Sequence, residues 1–237
     1  MNLLAFDTST DTLSIAVQRD ARIWEHQGPG GAQSSSTLIP AIHGLMAQAG
    51  LSFSQLQAIV FGRGPGSFTG LRTACSIAQG LAFGANVPVL PTDTLLAVAE
   101  QARAVHGCTE VVAVLDARMD EVYHAVCRWE PQAGGPGHWL SAGDFGLCAP
   151  EAVPVPPGYV LAGNAAAAYG ERLAPDAAQA LRLPALPTAA ALLRLAPALL
   201  AAGGAIPAAQ ALPHYIRDKV AQTTAEREAA ARLRAAA

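Results

Sequence analysis

Gly62-Arg63-Gly64-Pro65-Gly66-Ser67-Phe68-Thr69-Gly70-Leu71-Arg72 places four glycines and a proline between an apolar strand and an apolar helix. Backbone stripped of side chains marks a point that something approaches closely. The preceding Ala58-Ile59-Val60-Phe61 reads as a buried strand, Pro65-Gly66 as a turn, and Ser67 or Thr69 as the cap of the helix that follows. A helix that starts this way leaves backbone N–H groups and a partial positive charge free, the ingredients of an anion site. Arg72 in its first turn opposes the dipole at a cost of about 0.3–1 kcal/mol. Either it meets an acidic group or it bends outward to water. A nucleotide P-loop is excluded, because the Gly-Lys-Ser/Thr ending that grips phosphate and magnesium is missing.

On the N-terminal side of this run, Leu3-Leu4-Ala5-Phe6 ends in Asp7-Thr8-Ser9-Thr10. Leu13–Val17 and Arg22–His26 follow as two further strands of an antiparallel meander. Leu38, Ile42, Leu45 and Ala49 share one stripe of a helix with Pro40 at its start or kinking it. After the run come a helix over 71–83, a strand over 87–90 and a helix over 94–105. Val111–Asp116 then repeats the opening theme of an apolar strand ending in aspartate, with Glu121–Val126 as its second strand. A Gly/Pro-rich hairpin loop at 131–137 leads to the next strand. Tyr159–Ala162 is another strand, ended by Gly163-Asn164. The stretch to about 212, rich in Ala, Leu and Pro, reads as short helices, and Glu228 four residues before Arg232 suits an exposed helix or frayed end.

The 237 residues, 51% hydrophobic and 14% charged, suffice for a large core in one domain or two lobes. A formal net charge of −3 provides no general attraction to nucleic acid, so any RNA role needs a partner. No apolar run is long enough to span a bilayer and the chain opens directly on a strand, which makes the cytoplasm the expected compartment. Cys75, Cys108, Cys127 and Cys148 form no C-x-x-C pair and read as buried free thiols. The histidines never fall three or four apart on an expected helix, so no metal site is expected.

Two strand–Asp turns, one opening each half, point to an α/β, two-lobed actin/hexokinase-like (ASKHA, ribonuclease H-like) fold with a reduced second lobe. The expected divisions are a first lobe over 1–106, a second over 107–212, and a segment over 213–237 that packs back on the first lobe or frays. In such a fold nucleotide lies between the lobes. Here Thr8 stands beside Asp7, and Ala117-Arg118 follows Asp116, where a bare backbone should approach phosphate. Asp7, Thr8, Ser9, Asp116, Gly163 and Asn164 therefore read as a degenerate nucleotide cleft. Its aspartates act first as turn and capping residues. No cofactor of its own is expected, although weak ATP or ADP binding is allowed.

Asp7-Thr8-Ser9, the Gly62–Arg72 run, Asp116-Ala117-Arg118-Met119-Asp120-Glu121-Val122-Tyr123 and Pro213-His214-Tyr215-Ile216-Arg217 together resemble the TsaB family, also called YeaZ, over nearly the full length. That resemblance implies an actin-like ATPase fold and a bacterial partner of TsaD, the catalytic paralogue, with TsaE as third component. The assembly transfers a threonylcarbamoyl group from threonylcarbamoyl-adenylate to the adenosine beside the anticodon, and tRNA is met only through the complex. It further implies a homodimer in isolation that exchanges its contact for TsaD. The paralogue holds metal through paired histidines on its first long helix, where this chain has Ser34-Ser35-Ser36-Thr37-Leu38-Ile39-Pro40. Hydroxyls do not replace imidazole as strong ligands of a transition metal. His43, between Ile39 and Ala47 at helical spacing, reads as a lone packed or solvated side chain. An accessory role without catalysis follows from the resemblance.

The residues themselves add an argument for association. Between Ser34 and Ala49 there is no Asp, Glu, Lys or Arg, and between Leu71 and Gly84 the one such residue is Arg72. Helices apolar or small on every face are buried on two sides, against the sheet and, on this reading, against another subunit. The alternative is coverage by the second lobe. Gly70, Ala74 and Ala78 keep the second helix slim, Leu38, Ile42, Met46, Phe68, Ile77 and Leu81 supply apolar contact, and Arg63, Ser67 and Arg72 supply polar contacts at the rim. Two other function classes stay open. One is a free-standing ATP-dependent kinase or hydrolase working in the Asp7–Asp116 cleft. The other, more remote, is a glycoprotease-like peptidase, for which His-Glu-x-x-His is missing and Ser9 and Ser67 lack an identifiable base.

Overall fold

The computed structural model describes residues 1–132 and 134–217. Strands β1 (Asn2–Asp7), β2 (Thr12–Arg19) and β3 (Arg22–Pro29) form the meander, helix α1 (Ser34–Ala49) follows, and β4 (Ala58–Gly64), α2 (Phe68–Ala85) and β5 (Val89–Asp93) complete a five-stranded sheet. Its order is β3-β2-β1-β4-β5, antiparallel across the meander and parallel from β1 to β5. β1 and β4 are buried along almost their whole length and lack the inside–outside alternation of a half-exposed strand, as expected of strands covered on both faces.

After α3 (Thr94–His106) the pattern repeats. Strands β6 (Glu110–Arg118), β7 (Glu121–Glu130) and β8 (His138–Ser141) form a second meander, β9 (Gly146–Cys148) pairs with β7, and β10 (Val160–Gly163), α4 (Ala165–Tyr169) and β11 (Arg182–Pro184) follow. The second sheet runs β11-β10-β6-β7-β8, the same winding as the first. The last α-helix among the described residues, α5, spans Ala189–Ala201.

Three helical layers flank and separate the two sheets. α1 and α2 cover the outer face of the first sheet through Leu38, Ile42, Met46, Ala74 and Ala78 against Phe6, Ile15 and Phe61. α3 and α5 lie between the two sheets, in one core that takes Leu3, Ala5 and Val60 from the first and Val111, Ala113 and Leu115 from the second. α4 and its flanking turns cover the far face of the second sheet.

The stretch from 164 to 212 departs from the expected series of short helices. Leu183 pairs with Ala162, making β11 a short edge strand. α5 is a single helix despite Pro197, whose missing N–H costs on the order of 3 kcal/mol in an exposed helix. Burial of Leu192, Leu193 and Leu195 between the sheets offsets that loss. This helix is not confined to the second lobe. Its first N–H, on Ala189, donates to Ser14 Oγ at 2.8 Å in β2, and Ile206 pairs with Val89 of β5. α1 also begins earlier than Leu38, which places Pro40 inside the helix. Cys75 and Cys127 are buried, Cys108 and Cys148 half-buried, and all four are free thiols. The expected tail helix around Glu228 and Arg232 lies outside the described residues.

Candidate functional site

What approaches the glycine run is the chain itself: its first turn at Gly62, Gly66 and Gly70, and the His214 carbonyl at Gly64. A Cβ on Gly62 would overlap the Asp7 carboxylate, one on Gly66 would fall on Ser9, and one on Gly70 would overlap the Thr8 carbonyl. Ser67 N donates to Ser9 O at 2.7 Å, and Thr8 Oγ1 donates to Gly70 O at 2.7 Å. Ser67 caps α2, accepting weakly from Gly70 N at 3.5 Å. The close approach anticipated for an anion is therefore made by the Asp7–Ser9 turn. Asp7 is fully buried and accepts from Ser9 N, Ser9 Oγ and Thr94 Oγ1. Burial pushes its carboxyl up to about 6, against the pull of those hydrogen bonds. Arg72 meets neither an acid nor bulk water alone. Its guanidinium lies 3.9 Å over the Phe68 ring and donates to Tyr215 Oη at 3.2 Å.

The two helices are not roofed by the second sheet, although residues 206–211 lie along part of α2, and many of the anticipated contact residues point inward. Leu38, Ile42, Met46, Ala74 and Ala78 are buried against their own sheet, and Gly70 against Thr8. Those six are corrected from docking residues to core residues, because helical periodicity sends them to the sheet. Arg63 is likewise engaged within the chain, in a two-pronged pair with Asp93 at 2.6 and 3.0 Å. Ser67, Phe68 and Arg72 are exposed and Ile77 and Leu81 half-buried. The outward side includes Ile39, His43, Gly44 and Ala47 on α1 and Ser76, Gly80, Phe83 and Gly84 on α2, with uncharged Ser35, Ser36, Thr37 and Gln48 exposed beside them and Phe83 84% exposed. His43 sets its ring edge-on to Phe53 at 5.2 Å.

The second place of interest is a cavity of about 300 Å³ between the lobes, lined by Ser9, Asp11, Gly66, Asp116, Arg118 and Asn164 among others. Asp7 and Thr8 sit behind this lining. Asp116 Oδ1 accepts from Arg118 N and Tyr169 Oη, each at 2.8 Å, and Asn164 Oδ1 accepts from Asp116 N at 2.8 Å. Burial and the Asp116 bond push the Tyr169 phenol up to about 12, keeping it a neutral donor. Gly163, at φ 151°, passes so close to Val114 that no Cβ fits. Among the described residues no three His, Cys, Asp or Glu side chains come together to hold a metal ion. No described helix is long and apolar enough to cross a membrane.

Residues 214–217 also line the cavity, a placement that sequence reasoning missed even though it singled out Pro213–Arg217 as a motif. Isolated from its neighbours in space, that motif carries no periodicity from which its two contact sites could be read.

A solved structure, YeaZ from Pseudomonas aeruginosa, is 38% identical, covers 91% of this chain and 99% of its own, and superposes with a TM-score of 0.81. The chain belongs to the TsaB (YeaZ) family. It has the two-lobed ASKHA-like fold expected from the repeated strand–Asp turns. A TsaB protein of Haemophilus influenzae, named for tRNA threonylcarbamoyladenosine biosynthesis, is 44% identical over 123 residues, and that of Escherichia coli 37% over 153. These matches span 52% and 64% of the two TsaB relatives. Residues 19–133, just under half of the chain, match the family described as TsaD, tRNA N6-adenosine threonylcarbamoyltransferase.

Proposed function

We propose that this chain is the accessory, non-catalytic subunit of a bacterial complex that forms threonylcarbamoyladenosine in tRNA. It docks the catalytic paralogue TsaD through the outer faces of α1 and α2, works with TsaE, meets tRNA only within the assembly, acts in the cytoplasm, and pairs with a second copy of itself when TsaD is absent. One observation carries this reading. The outward surfaces of both helices hold no Asp, Glu or Lys, and the sole Arg, Arg72, lies over Phe68 at the N-terminal end of α2. A solvated helix face of that length ordinarily carries charge, and an uncharged one that exposes Ile39 and Phe83 away from its own core marks an interface. Family membership supports the same role.

The cleft is the lesser part of this reading. Its glycine turn is filled by the Asp7–Ser9 turn, so it holds no cofactor of its own and takes ATP or ADP weakly. The decisive experiment mixes the purified chain with TsaD, TsaE, threonylcarbamoyl-adenylate and unmodified tRNA, omitting each in turn. Loss of modified tRNA when this chain is left out, with no turnover by the chain alone, is the expected result. Full product without it rejects the role.

A further inference from the structure

We propose that residues 213–217 form a latch that closes the two lobes over the inter-lobe cavity, and that releasing it opens the cavity. At its first-lobe end, His214 N donates to Arg63 O at 2.7 Å. The Tyr215 ring packs on Phe68 with centroids 5.4 Å apart, and its hydroxyl accepts from Arg72. At its second-lobe end the Arg217 guanidinium, 14% exposed, pairs with the Glu121 carboxylate and donates to the Arg118 carbonyl at 3.4 Å. Between them Ile216 packs against the core shared by both sheets, and His214 faces the Phe145 ring of the β8–β9 connection at 5.8 Å. Upstream, the same segment is fixed to the first lobe, where Ala211 O accepts from Gln79 Nε2 at 3.0 Å. Five residues thus run from the glycine turn of one lobe to the β6–β7 turn of the other.

The asymmetry of the connections gives this strap its role. Behind the cavity the lobes share the continuous core of α3 and α5, which resists separation because its close-packed apolar side chains are buried. At the mouth, besides the strap, an ion pair joins the equivalent turns, Asp11 to Arg118 at 2.6 Å, with side chains 82% and 69% exposed. An ion pair so wetted contributes little. Firm packing on one side and a few polar bonds on the other are the components of a hinge and a catch. The strap's bonds, partly screened from water by Ile216 and the two rings, are the stronger element of the catch.

Amide hydrogen exchange on the full chain tests this, comparing the parent with Glu121→Ala, Arg72→Ala and the double variant. Both altered positions are at least partly exposed, so the fold survives. Glu121→Ala touches only the second-lobe end, yet it is expected to speed exchange at least tenfold in residues 64–71 as well as in 118–123. Arg72→Ala is expected to do the same from the other side. The double variant should add little to either, since a catch broken once is open. β1 and β2 should keep their parent rates. Effects confined to the altered end, or additive in the double variant, overturn the latch. So does a uniform rise that includes β1 and β2.

Discussion

Thr8 hydrogen-bonds to the carbonyl of Gly70 at 2.7 Å, while the space a Cβ on Gly70 would need is already taken by the Thr8 carbonyl. Helix α2 is thereby seated directly on the turn that ends β1. Alanine normally improves a helix over glycine by about 1 kcal/mol. At Gly70 the sign reverses, because the obstacle is backbone and does not move aside. Gly70→Ala should lower the urea unfolding free energy by roughly 1–3 kcal/mol. Gly80→Ala in the same helix, where a Cβ meets open space, should raise it by about 0.5–1 kcal/mol.

Phe83 and Ile39 stand on the outward faces of α2 and α1. Sedimentation velocity on Phe83→Glu with Ile39→Glu should show a folded monomer, with self-association weakened about a hundredfold or more, as for loss of a central interface anchor. Ala78→Glu, five residues before Phe83 but facing the sheet, should instead lower expression and melting temperature by burying an unpaired charge. A double variant that still dimerises rejects the docking face.

Asp7 ties stability to pH in the opposite sense to a salt-bridged carboxylate. Its folded value of about 6 lies above its ordinary 3.8, so between these values the native state holds more protons than the unfolded one. Its contribution is fully present below pH 4 and is lost as pH rises through 6, by on the order of 3 kcal/mol. Asp7→Asn removes this dependence. The stability difference between parent and variant, followed by urea titration from pH 4 to 7, should shift against the parent and level off above 6. A flat difference rejects the assignment.

Glu100 is 1% exposed and accepts from Arg103 at 2.8 and 2.9 Å, from Arg194 at 3.0 Å and from Trp139 Nε1 at 3.1 Å. It joins α3, α5 and β8. Glu100→Ala strands two guanidinium groups and an indole N–H, and should cost about 3 kcal/mol in equilibrium unfolding. Glu100→Gln, which keeps the acceptor, should cost less.

The amino-acid sequence alone determined the local units. Alternation and apolar runs placed the meanders, the strand–Asp repeat marked two lobes of one winding, and the lack of charge over 34–49 and, Arg72 apart, over 71–84 set the two helices apart. These are properties of neighbours along the chain, where period and residue type suffice. Tertiary structure alone decided what filled the glycine turn, because Gly62 and Gly70 report that something comes close but carry no chemistry to say what. It also decided that the opposite sides of α1 and α2 stay uncovered, since periodicity picks out the stripe that packs on the sheet but not what lies over the other one. Finally, it placed α5 between the sheets and Arg217 beside Glu121, contacts between residues far apart in sequence that only the closing of the chain brings together.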